Sequence, residues 1–274
     1  MISLDAQMLR QLQLVELELL LEVDRICAKH GIRYCIIAGT MLGAERHGGF
    51  IPWDDDADVA MLRSDYERFR KVCETELDSD KYYFQDHRAT PGYRWGYGKL
   101  RRVDTVFLRE HQEHMPYAQG VFIDVFPLDA VPESHAGRAV ANFACFCVRK
   151  MLWAPVGQFA DKNPAMRAWY RLLATVPSST TYSLLDGLSA LAAHLKSRWV
   201  RILMYPTPNR EYGYLREWYT TTKPATFEGK VFPGVSNPDA YLSFKFGNYR
   251  ELPPAEQRKT HPVSAIELIE PEVG

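Results

Sequence analysis

Three aspartates, Asp54, Asp56 and Asp58, alternate with their neighbours in the stretch IIAGTMLGAERHGGFIPWDDDADVAML, from Ile36 to Leu62. The apolar run Tyr34–Ala38 reads as a buried strand, Gly39-Thr40 as a turn, and Asp56–Leu62 as a second strand. Side chains alternate along a strand at about 3.3 Å per residue, so Asp56 and Asp58 share a face about 6–7 Å apart. Two carboxylates so placed suit divalent cations of a two-metal phosphoryl-transfer site, whose ions lie about 3.5–4 Å apart. Without a counter-ion, their mutual repulsion raises their pKa values.

A solvated acidic turn predicts polar neighbours, yet Val59-Ala60-Met61-Leu62 follows Asp58 and belongs in a core. A helix-loop-helix calcium site wants glycine and glutamate at its sixth and twelfth positions. Counted from Asp54, those positions hold Val59 and Asp65, so that reading fails. A nucleotide-sugar glycosyltransferase also carries Asp-x-Asp after an apolar strand, but it needs a larger nucleotide-binding half in front. A further acid, Asp124, stands inside the apolar strand Gly120–Leu128. A strand ending in Gly-Thr, then Asp-x-Asp on the next strand and one acid on a later strand, resembles the nucleotidyltransferase (polymerase-beta-like) fold. Gly39 and Thr40 are the expected phosphate contacts, since glycine lets backbone N–H groups approach closely.

AGTMLGAERHGGFIPWDDDADVAM resembles the LicD family of phosphotransferases, which includes phosphocholine transferases and, more distantly, fukutin and fukutin-related protein. The resemblance extends to Arg63-Ser64-Asp65-Tyr66, Lys99-Leu100, Val121–Pro132 (VFIDVFPLDAVP) and Tyr241–Pro254 (YLSFKFGNYRELPP). It leaves out Ser134 to Glu228. It implies an α/β (α+β) nucleotidyltransferase-like mixed-sheet core. It also implies transfer of a phospho-alcohol from a CDP-activated donor to a hydroxyl of a cell-surface glycan such as lipopolysaccharide or teichoic acid, with release of CMP. Choline, ribitol, glycerol and aminoethyl headgroups all stay open. Asp56, Asp58 and Asp124 are then the catalytic set; with Asp54 they are the ligands of Mg²⁺ or Mn²⁺, and Asp124 is the base for the acceptor hydroxyl. Nucleotidyl transfer on the same fold is the alternative, ahead of glycosyl transfer.

Arg46, His47, Lys99 and Arg101 are expected to contact the diphosphate, or else to pair with the aspartates. Tyr93, Trp95 and Tyr97 stack a pyrimidine, cage a quaternary ammonium, or pack in the core. His261 matches a family histidine, against a reading as a solvated residue.

The elements that must position these groups are legible in outline. Asp5 to His30 is an amphipathic helix capped by Asp5 and stopped by Gly31. Ser64 is the expected cap of a helix reaching Leu77, Tyr82–Gln85 a strand, and Gly98-Lys99-Leu100-Arg101 with Thr105–Arg109 a hairpin around Val103-Asp104. Helices are expected over Gly137–Pro155, Met166–Val176 and Ser183–Met204. The 274 residues form one domain: residues 1–132 a nucleotidyltransferase-like core, 133–228 a helical insertion, and 229–274 a segment returning to the site. The net charge of −1 argues against nucleic acid as a partner. Yet residues 135–210 hold ten Lys or Arg against two acids, so this segment faces something anionic, ordinary solvent or a membrane surface through 137–171. The five cysteines, lacking zinc-site spacing, fit a reduced cytoplasmic protein working in the cytoplasm or at the inner face of the membrane. No signal peptide or apolar run of spanning length is read from the sequence.

Overall fold

The computed structural model describes residues 2–207 and 211–271; Arg210, counted in the basic segment, lies outside them. Helix α1 (Ala6–His30) follows the periodicity of Leu12, Val15, Leu19, Val23 and Ile26, all fully buried. The Asp5 carboxylate accepts from the Met8 N–H at 2.8 Å. Gly31 closes the helix in the left-handed region, φ 59°, where a side chain is disfavoured.

Strand β1 is only Cys35–Ile36, and the expected Gly39-Thr40 turn is instead the first turn of α2 (Ala38–His47). The glycine sits where a helix tolerates it, and Met41, Leu42, Ala44, Glu45 and Arg46 are good helix formers that carry the segment on. The reversal from β1 into α2 falls on Ala38, at φ 50°, a strained conformation for a residue with a Cβ. Strand β2 (Asp58–Leu62) begins two residues later than expected. It runs into α3 (Arg63–Glu76), whose cap position is Leu62; Ser64 lies within the helix and does not cap it. Strand β3 (Tyr82–Gln85) falls where the sequence places it.

Strands β4 (Gly98–Arg102) and β5 (Val106–Arg109) do not form the expected hairpin. The turn between them exists, with Asp104 at φ 58°, but β4 pairs with β3 and β6 (Phe122–Ala130), while β5 leaves for another partner. Local sequence predicts a turn; it does not say which strand lies beside each arm. β6 is buried throughout. Its Pro127, which has no N–H to donate, falls in the gap between Val125, the last partner of β4, and Asp129, where a later strand joins.

After β6 come α4 (His135–Ala160), α5 (Pro164–Ala174) and α6 (Ser178–Ala193). The last helix expected to reach Met204 ends at Ala193, and Trp199–Arg201 is a strand, β7, in which Val200 is fully buried. By length and composition α4 could cross a membrane, and little of its most apolar stretch is buried. The sequence reading missed this because Arg149 and Lys150 interrupt the run without lowering its mean far. The chain then forms β8 (Tyr214–Leu215), α7 (Glu217–Thr220), β9 (Lys223–Phe227), β10 (Lys230–Gly234), α8 (Pro238–Phe246) and β11 (Val263–Glu267).

Among the described residues, nine strands make a mixed sheet ordered β3-β4-β6-β2-β1-β10-β9, with β7 and β8 continuing from the far end of β6; β5 and β11 form a separate pair. With the eight α-helices found among the described residues this is a mixed α+β fold. α1 packs on β4 and β6, beside α3 on β2 and β6. Ile36, Val59, Ile123 and Val125 are fully buried on the central strands.

Candidate active site

β2 and β6 are parallel neighbours, and Asp58 and Asp124 are partners in their register. Partners on adjacent strands lie about 4.8 Å apart with side chains on one face. Asp56 precedes Asp58 by two residues, on the approach to β2, where alternation returns its side chain toward that face. The N–H of Asp58 donates to Thr40 Oγ1 at 2.8 Å, so the threonine hydroxyl at the start of α2 fixes the backbone of the metal-type acid. A Cβ on Gly39 would lie 2.5 Å from Asp54 Oδ2; the glycine admits that carboxylate.

A cleft of about 380 Å³ opens on Asp56 and Asp124 and is walled by Lys99, Arg101, Arg109 and Trp95. A second, of about 360 Å³, opens on Asp54, Asp56 and Asp58, with Gly39 and Lys245 in its wall. Asp56, Tyr205 and His261 border both. The acids therefore stand at the junction of two spaces, an arrangement suited to two substrates that meet at one reacting centre.

Burial is the largest cause of the rise in the carboxyl pKa values here. It pushes Asp54 up to about 8, with Asp56 and Asp55 adding to it. Asp58 goes well above the ordinary range through burial, then Asp56, Asp124 and Asp54, against Lys245 of α8. Asp56 is raised because burial outweighs Arg109. Glu16 of α1 is fully buried with neither side-chain oxygen hydrogen-bonded, and burial followed by Asp56 and Asp55 pushes its carboxyl well above the usual range.

The expected phosphate-binding cations are dispersed. Lys99 is the antiparallel register partner of Asp124 and forms a buried ion pair with it. Its ammonium also lies 3.3 Å from the centre of the Phe122 ring. Burial pushes Lys99 down to about 8, with Asp124 opposing. Arg101 borders the first cleft but donates to Gln85 Oε1 at 2.6 Å and to the Gly120 carbonyl. Arg46 donates to the carbonyls of Tyr249 (2.9 Å) and Glu251 (3.2 Å), holding the segment after α8. His47 stands edge-on to Trp53, its pKa lowered first by burial and then by Arg46. Neither Arg46 nor His47 borders the clefts. Trp95 and Tyr97 do, whereas Tyr93 is fully buried and donates to the Tyr97 carbonyl.

Asp55, Arg109, Lys245 and Tyr205 were not singled out from the sequence. Asp55 is almost fully buried and pairs with Arg109 at 3.1 Å; it also accepts the His261 backbone N–H and sits 2.7 Å from His261 Nδ1. The alternation that turns Asp54 and Asp56 one way turns Asp55 the other, into the protein. That was the available signal, and it demands a cation, which β5 supplies.

An all-carboxylate donor set of mutually repelling acids is chemically suited to a hard divalent cation such as Mg²⁺ or Mn²⁺. Among the described residues, no three His, Cys, Asp or Glu side chains close on one ion position; Asp124 is engaged by Lys99.

The LicD/FKTN/FKRP nucleotidyltransferase domain matches residues 31–144, which span β1 to the first turns of α4 and contain every acid of the cluster except Glu16. The lipopolysaccharide cholinephosphotransferase LicD of Haemophilus influenzae is 25% identical over 95% of this chain and 98% of its own length. Ribitol 5-phosphate transferase FKRP, human, is 36% identical over 64 residues, 23% of this chain and 13% of that protein.

Proposed function

The chain is a member of the LicD family, with that family's nucleotidyltransferase domain at residues 31–144, and from this we propose that it is a phosphotransferase moving a phospho-alcohol from a CDP-activated donor to a hydroxyl of a cell-surface glycan. The two relatives support the class of reaction through their names, one a cholinephosphotransferase for lipopolysaccharide and the other a ribitol 5-phosphate transferase. The observation that carries the reading is the placement of Asp58 and Asp124 as register partners, with Asp56 beside them, at the meeting of two clefts.

In this reaction the acceptor oxygen attacks the phosphorus that carries the alcohol. The bond from that phosphorus to the bridging oxygen breaks, CMP leaves, and the hydroxyl proton passes to Asp124. Asp56, Asp58 and Asp124, with Asp54 alongside, would hold Mg²⁺ or Mn²⁺; when bound, such an ion supplies charge compensation for the diphosphate and the leaving CMP. Lys99, paired with the Asp124 carboxylate from the neighbouring strand, holds it in place beside the first cleft. Arg109 and Lys245 offset donor charge from the two clefts, and Trp95 and Tyr97 offer faces to the base or to a quaternary ammonium. The reading puts the work in the cytoplasm or at the inner face of the membrane, the latter supported by exposed aromatic and basic residues on α4 and α5 that would suit a lipid-linked acceptor.

The deciding experiment incubates the protein with a panel of CDP-alcohols and Mg²⁺, with and without glycan, and follows CMP release and product mass. The reading requires an acceptor heavier by one phospho-alcohol. An acceptor heavier by a nucleoside monophosphate would replace it with nucleotidyl transfer.

A further inference from the structure

Beside the first cleft lies a third cavity, of about 330 Å³, sharing Trp95, Tyr97, Trp153 and Tyr205 with it as a common wall. The cavity also carries Arg94, Arg149 and Lys150. Arg94 is buried, and its guanidinium donates to the backbone carbonyls of Met151 at 2.9 Å and Leu152 at 3.4 Å. Lys150 donates to Tyr170 Oη at 2.7 Å, and Arg149 lies against the Phe146 ring. Among the described residues, none of the three forms an ion pair with a carboxylate. Burial lowers Arg94 and Arg149, and no Asp or Glu is among the groups opposing it.

Arg94 is buried and Arg149 and Lys150 are half-buried, all three without a carboxylate partner among the described residues, and an entering anion would gain charge-assisted hydrogen bonds from them. The common wall is aromatic, with the Trp95 and Trp153 rings 5.8 Å apart between centroids. Flat indole faces suit the C–H surface of a sugar ring. We propose that this cavity binds a phosphate ester on the saccharide acceptor, its sugar lying along the Trp95–Trp153 wall so that a hydroxyl enters the cleft beside Asp124. The assignment of the bound molecule as acceptor rests on the transfer reaction above; the binding itself does not.

The test is calorimetric titration of the full chain, without donor, using glucose 6-phosphate, glucose and inorganic phosphate as probes. Glucose 6-phosphate should bind at least about tenfold more tightly than either of the others, as one lost charge-assisted contact implies. Arg149→Gln and Lys150→Gln, each checked by thermal melting, should weaken glucose 6-phosphate about tenfold or more. Equal binding of glucose, equal binding of inorganic phosphate, or unchanged affinity in both folded variants overturns the proposal. CMP release by the unaltered protein is followed separately, so absence of donor turnover fails the transfer reading while the titration still decides the cavity.

Discussion

Asp58 and Asp124 face one another across adjacent parallel strands, yet their surroundings differ: Asp124 forms a buried ion pair with Lys99, whereas among the described residues Asp58 forms none and feels Lys245 only at a distance. The same substitution should therefore act oppositely on stability at the two positions. Asp58→Asn removes a source of repulsion and should leave Tm unchanged or higher. Asp124→Asn strands the Lys99 ammonium, and breaking a buried pair from one side costs about 3–5 kcal/mol, less whatever Lys99 recovers by losing its proton. Adding Lys99→Met to Asp124→Asn should restore Tm. Turnover should fall about 10²–10⁴-fold in Asp124→Asn and stay low in the double variant. Recovery of turnover along with Tm would remove Asp124 from the chemistry.

The acid cluster also sets a pH dependence. The Asp54 carboxyl is near 8 in the folded chain, against about 3.9 in an unfolded one. Between those values the folded state keeps a proton that the unfolded state has released, so this group makes stability fall as pH rises from about 4 to about 8. Lys99, pushed down to about 8, acts in the next window with the opposite slope, raising stability between about 8 and 10.4. Melting in EDTA from pH 5 to 8 should show the first trend, and Asp54→Asn should flatten it. Mg²⁺ competes with those protons, so its increase in Tm should be larger at pH 8 than at pH 6. A larger increase at pH 6 would contradict the assignment of these acids as ligands.

Gly39 has a packing role the sequence did not disclose. An added methyl would sit 2.5 Å from Asp54 Oδ2, so Gly39→Ala must displace that carboxylate. The expected cost is about 1–3 kcal/mol, the range for forcing extra volume into a packed site. Combining it with Asp54→Ala should return most of the lost Tm. If Gly39→Ala reduces activity as much with Asp54→Ala as without it, the glycine acts on substrate and not through Asp54.

Asp55 separates from its two neighbours by the same logic. Asp55→Ala leaves Arg109 beside Asp56 without its main partner, a loss of about 3–5 kcal/mol. His261 is 58% exposed at its side chain, and His261→Ala should cost no more than about 1 kcal/mol. Limited proteolysis should cut the segment around His261 faster in Asp55→Ala than in the unaltered protein. Equal cutting would mean that this carboxylate does not tether the C-terminal segment.

The sequence shows the chemistry of the site more fully than its supports. Asp56, Asp58 and Asp124 could be singled out because a charge inside an apolar run needs a reason, and that contradiction is local. The pairing of β5 with β11 joins residues 106–109 to 263–267 and has no local signature, so a hairpin was expected instead. The cations behaved likewise. Arg46 and Arg101 look available in a string of letters, and only the fold shows them spent on the Tyr249, Glu251 and Gly120 carbonyls. The helix at Ala38–His47 was hidden for another reason: Gly39-Thr40 matches a turn in type, while the good helix formers come only after it.

Helices α4 and α5 offer the last test. Phe143 is 67% exposed, Phe159 53% and Trp169 50%, and exposed Arg167 and Arg171 lie on the neighbouring α5. Aromatic side chains entering the interface, with cations meeting headgroups, predict binding to anionic bilayers, each cation near the surface being worth about 1 kcal/mol. The protein should co-sediment with vesicles of phosphatidylglycerol and phosphatidylcholine and not with phosphatidylcholine alone. Phe143→Ser with Phe159→Ser should reduce the bound fraction several-fold. Salt distinguishes this from the other behaviour open to α4, which is long and apolar enough to span. A peripheral contact is released at about 1 M salt, where the screening length is about 3 Å, whereas an inserted helix stays with the bilayer. Equal partitioning into neutral and anionic vesicles would remove the electrostatic argument, and retention at high salt would mean that α4 leaves its packing against α5 and α6 to enter the membrane.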